Sequence, residues 1–181
     1  MGIPMERQIG SLRMVVLYVL SGVGGNLFGA IMTDTVSVGV SSSLYGLYGL
    51  LCLDLFQNWP LLSTPWRDAA QLLLQVAFAL ALGVVFPYID NYAHVGGFVV
   101  GLLGGLALMP TIKFGRADRA RKFLLKWASV PVLAGLLSYG FWTFYGSAGA
   151  EPACRWCYYL NCAVEFWCPR SSNVGQPQAS S

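Results

Sequence analysis

Charged side chains are missing from five long stretches of this chain: Met14–Thr33, Thr35–Leu53, Ala69–Ile89, Asn91–Ile112 and Trp127–Ala150 contain no Asp, Glu, Lys or Arg. Each has about the 20 residues that a helix needs to cross a hydrocarbon core of roughly 30 Å. A soluble core has no reason to repeat that pattern five times. The pattern therefore predicts an all-α polytopic membrane protein, a helical bundle with spans near 14–33, 35–53, 69–89, 91–112 and 127–147. These spans define a transmembrane domain over residues 1–147. A cysteine-rich segment, 148–168, follows, and then a tail, 169–181, whose Ser, Gln, Gly and Pro content predicts disorder.

Composition agrees with this reading. Hydrophobic residues make up 56% of the chain and charged residues 10%, with 21 glycines to allow close helix packing in lipid. No basic patch is interleaved with aromatics, so nucleic acid is not an expected partner. The N-terminus lacks a signal-peptide layout, because Glu6, Arg7 and Arg13 precede a full-length span and not a short apolar stretch with a cleavage site.

The basic residues set an expected orientation. Lys113, Arg116, Arg119, Arg121, Lys122 and Lys126 stand against a single Asp118 between the fourth and fifth spans, which predicts a cytosolic loop. Alternation then puts the N-terminus and the Gln57–Asp68 segment in the cytosol. The links near Asp34 and Pro87–Asp90, and the tail from Glu151, fall on the other side, in a secretory-pathway or plasma membrane. Cys154, Cys157, Cys162 and Cys168 in that tail read as two disulfides in one of three pairings, since that compartment is oxidising. A zinc site through Cys154 and Cys157 is the alternative, although no histidine is near. Cys52 reads as a packing residue.

The chemistry centres on His94, the chain's one histidine, because an ionisable group at membrane depth is by default a functional candidate. The second span begins at Ser37-Val38-Gly39-Val40-Ser41-Ser42-Ser43 and the fourth at Asn91-Tyr92-Ala93-His94, both from the non-cytosolic side, so Ser41 and His94 lie at similar shallow depths. Brought together, they form a nucleophile and its general base. Gly39 leaves room for a substrate backbone, and free N–H groups at the helix start can hold a developing oxyanion. Gly97, Gly101 and Gly105 share the His94 stripe and let a neighbouring helix approach. Tyr45, one turn after Ser41, is placed to lie against the imidazole. Each feature also has an ordinary structural reading: serines cap helices, glycine ladders pack, and a single histidine can serve a proton relay, a metal or a structural hydrogen bond.

At these residues the chain resembles the rhomboid family of intramembrane serine proteases. Gly39-Val40-Ser41-Ser42 matches its Gly-x-Ser-x motif, and Tyr45-Gly46-Leu47 follows as expected. Ala93-His94-Val95-Gly96-Gly97-Phe98 with Gly101 is similar to its histidine-bearing helix. Glu6, Gly10, Arg13 and Ser21-Gly22-Val23-Gly24-Gly25-Asn26 resemble an earlier helix, so the resemblance covers roughly residues 5–110. It implies a dyad of Ser41 as nucleophile and His94 as base, Tyr45 stacked on His94, no cofactor and no metal. Transmembrane protein substrates in the lipid bilayer would be cut in or near their membrane segments.

Pro65-Trp66-Arg67, the run Pro87–His94, Lys113-Phe114-Gly115 and the cysteine tail resemble the family's inactive branch, whose members bind and traffic membrane clients without cutting them. That branch disrupts the serine motif, whereas Ser41 and His94 are both present here, which favours the enzyme. The resemblance also implies a chain truncated at its N-terminus. Two earlier helices, the second carrying a histidine and an asparagine that help bind the oxyanion, would precede Met1, and the chain alone would be nearly inactive. A small transporter using His94 as a proton site lacks the expected repeat or pair of broken helices.

Overall fold

In the computed structural model, residues 2–32, 39–86, 89–109 and 116–146 are described, and among them every regular element is helical. The chain is an integral membrane protein. A short helix α1 (Gly2–Ile9) leads into α2 (Ser11–Met32), α3 (Ser41–Gln57), a 3-10 turn (Trp59–Leu61), α4 (Pro65–Val85), α5 (Asn91–Leu108) and α6 (Arg116–Gly146). Gly10 separates α1 from α2. Its φ of 89° is left-handed, which glycine tolerates, while its N–H still closes a turn onto Glu6 O at 2.8 Å. Ser11 Oγ, donating to Glu6 Oε1 at 2.6 Å, then opens α2.

Among the described residues, four helices, α2, α4, α5 and most of α6, are long and apolar enough to cross a membrane. Five spans were expected from the sequence. The difference is α3, which has 17 residues and so rises about 25 Å, short of a typical hydrocarbon core. It starts within a serine cluster, carries Asp54 in its last turn and ends on Asn58, whose amide donates to Asp54 Oδ1 at 2.6 Å. The basic segment expected as a loop is also corrected. Arg119, Arg121, Lys122 and Lys126 stand on the first turns of α6, a helix of 31 residues, because Arg, Lys, Ala and Leu all favour helix and nothing there interrupts it. Pro131 sits inside α6, where it removes one backbone hydrogen bond without ending the helix.

The core is the contact of α5 with α2 and α3. It is built on backbone proximity. A Cβ on Gly101 would lie 2.6 Å from the carbonyl carbon of Gly46 on α3, and one on Gly25 of α2 would lie 2.8 Å from Gly97 N. Gly97 faces the Ser42 backbone in the same way. At the far end Met5, Ile9, Leu17, Leu50 and Met109 form an apolar cluster that seats α1. α4 is peripheral, with Gly83 its one buried residue, and α6 lies against α5 and α2. Cys154, Cys157, Cys162 and Cys168, and the segments 148–168 and 169–181, lie outside the described residues.

Candidate active site

Ser41 and His94 line one cavity of about 410 Å³ at the shared end of α3 and α5. Ser41 is the first residue of α3, and Val40 before it supplies no side-chain cap. Gly39 is needed for space, since a Cβ there would lie 2.7 Å from Ser41 Oγ and force the hydroxyl to turn. Ser42, fully buried, fixes the same turn. Its hydroxyl is 3.1 Å from both Asn26 Oδ1 and Gly39 O, and 3.4 Å from Gly22 O, which ties the serine turn to α2. Asn26 also lines the cavity.

His94 is 3% exposed and stands in the first turn of α5. Tyr45 lies on it, ring centroids 4.1 Å apart and planes 10° from parallel. The Tyr45 hydroxyl is in turn 3.5 Å from Val76 O on α4, so one side chain spans the gap between the imidazole and the peripheral helix. Among the described residues, neither ring nitrogen of His94 has a hydrogen-bond partner. Ser41 and His94 thus face one cavity without being joined by a hydrogen bond. Ala79 and Leu82 of α4 and Leu44 of α3 give the cavity an apolar wall.

Three residues that the sequence reading passed over hold this arrangement. Asn26 has no spacing signal of its own, because its bond to Ser42 depends on how α2 crosses α3. Asp90 accepts from the N–H groups of Tyr92 at 2.9 Å and Ala93 at 3.3 Å, starting α5. An Asp just ahead of a charge-free helical run is a recognisable N-cap signal, so this one was within reach. Asn91, fully buried, donates from Nδ2 to Leu80 O at 3.2 Å and connects α5 to α4. Among the described residues no group of three or more His, Cys, Asp and Glu is placed to hold a metal ion.

A rhomboid domain model matches residues 1–111, which include both Ser41 and His94. The chain is 38% identical over 163 residues to inactive rhomboid protein 1 of Rattus norvegicus, an alignment covering 87% of this chain and 18% of that protein. It is 38% identical over 160 residues to the protein of the same name from Danio rerio. Against inactive rhomboid protein 2 of Homo sapiens it is 40% identical over 135 residues, covering 74% of this chain and 16% of that one. The chain therefore spans less than a fifth of the length of these relatives.

Proposed function

Because this chain belongs to the rhomboid family, we propose that it is an intramembrane serine protease in which Ser41 is the nucleophile and His94 the general base. The observation that carries the reading is the shared cavity, where Ser41 and a buried His94 braced by Tyr45 meet at one end of the bundle. Both ring nitrogens are unengaged, so the imidazole is free to take a proton. The proton of Ser41 Oγ passes to His94 as the oxygen attacks a substrate carbonyl. The N–H groups left free at the start of α3 are the donors that this reading assigns to the oxyanion. His94 then returns the proton to the leaving amine, and water releases the acyl group. The substrates on this reading are transmembrane proteins cut near the non-cytosolic face of a secretory-pathway or plasma membrane.

A second reading, a rhomboid that binds membrane clients without cutting them, is favoured by the names of the relatives and by the missing Ser41–His94 hydrogen bond. One experiment separates the two. Membranes containing the protein are treated with a fluorophosphonate probe and supplied with a reporter bearing a transmembrane segment. The protease reading expects labelling and cleavage that vanish together in Ser41→Ala and His94→Ala. Reporter binding without labelling or cleavage establishes the second reading in its place.

A further inference from the structure

We propose that Asp90 is a positioning residue for the proton transfer between Ser41 and His94, holding the turn that carries His94 and presenting a fixed negative charge to it. This rests on the protease reading. Asp90 uses two oxygens on one turn of helix: Oδ1 accepts the Tyr92 and Ala93 N–H groups, and the main-chain oxygen accepts the N–H of His94 at 3.2 Å. His94 is therefore the first residue whose N–H enters the backbone ladder of α5, and its place is set by Asp90 directly. On the other side the carboxylate abuts Gly29 of α2, where any side chain would collide with Oδ2. The carboxylate is thus held between the helix cap on one side and α2 on the other.

Capping alone does not call for a charge. Ser and Asn cap helices as well as Asp does, and a carboxylate 6% exposed in a membrane protein carries a desolvation cost that a neutral cap avoids. The charge has a use in the reaction. When the O–H bond of Ser41 breaks, its proton forms an N–H bond on His94, Oγ bonds the substrate carbon, and the carbonyl π pair moves to oxygen. An imidazolium then exists where a neutral ring stood. Asp90 precedes His94 by four residues, one helical turn, and lines the same cavity; among the described lining residues no other carries a formal charge. An anion fixed there favours the imidazolium, and with it the transition state, over the resting state.

The test uses substitutions that separate cap from charge. Asp90→Asn and Asp90→Ser keep a side-chain oxygen for the Tyr92 and Ala93 N–H groups, whereas Asp90→Ala keeps neither oxygen nor charge. Each variant is reconstituted, and its cleavage of a transmembrane reporter, its rate of fluorophosphonate labelling and its Tm are measured, with Ser41→Ala as blank. We expect Asn and Ser to retain the Tm, leave KM unchanged and lower kcat by roughly tenfold, the scale of one lost charge interaction in a transition state. Asp90→Glu should recover part of that loss. Wild-type rates in Asp90→Asn and Asp90→Ser, with only Ala impaired, would reduce Asp90 to a cap and overturn the proposal while leaving the protease reading intact. The proposal is also lost if rate and Tm fall in parallel through all the variants. A wild-type protein that neither labels nor cleaves overturns the protease reading itself.

Discussion

α5 and α4 are neighbours in the chain and close in length, at 18 and 21 residues, yet they meet the rest of the molecule in opposite ways. Ten residues of α5 are buried, five of them glycines, while α4 buries only Gly83, although both helices are long and apolar enough to cross a membrane. In water, apolarity would draw both helices toward the centre. In lipid, apolarity gives no preference between tails and protein, and a helix is drawn inward by small residues that let backbones touch and by polar groups that need partners. α5 has both, through Gly97 and Gly101 against α3 and through His94, Asn91 and Asp90. α4 has leucines that suit lipid, and it is held by a few polar contacts to α3 and α5.

The comparison is broken most severely at Gly101. A leucine there must displace the Gly46 backbone, which separates α3 from α5, and we expect a loss of several kcal/mol or of folded protein altogether, read by thermal unfolding in detergent. Next in size is Asn91→Ala, which removes the buried amide joining α5 to Leu80 O on α4 and should cost about 1–3 kcal/mol. Hydrogen exchange should locate that loss in α4 and leave α5 protected. Tyr45→Phe is gentler: the ring stays on His94 while the hydroxyl contact to Val76 O is lost, for about 0.5–1.5 kcal/mol. On the protease reading its labelling rate should stay near wild type, and Tyr45→Ala, which removes the stack, should slow it. Smallest of all, Leu73→Val on the lipid-facing side of α4 should shift stability by less than about 0.5 kcal/mol. A large effect at Leu73 would show α4 to be packed far more tightly than its exposure implies.

What was legible beforehand follows the same physics. Charge-free runs located α2, α4 and α5 well, because exclusion of charge from lipid acts residue by residue and needs no knowledge of neighbours. The same rule misplaced the start of α6: charge excludes Lys and Arg from the hydrocarbon but not from a helix, so the basic turns read as a loop. α1 was not anticipated, since it is held by Met5 and Ile9 against Leu17, Leu50 and Met109, a tertiary contact with no local signature. In the site, the meeting of Ser41 and His94 at one end of α3 and α5 and the facing of Tyr45 could be read from spacing along helices. The Asn26–Ser42 bond and the Tyr45–Val76 contact required the crossing of separate helices, which periodicity does not encode.

The length of α6 has a mechanical consequence. Its 31 residues rise about 46 Å, and its charge-free part from Trp127 to Gly146 accounts for about 30 Å of that, the thickness of a typical hydrocarbon core. With that part in the hydrocarbon, the preceding turns from Arg116 to Lys126 would project about 16 Å beyond the lipid tails as a continuation of the same rod. Trp127, 63% exposed, stands where rod and boundary meet, the level at which indole rings anchor. On that placement the rod is a standoff, and a bilayer of different thickness changes its height by tilting the helix or by kinking it at Pro131.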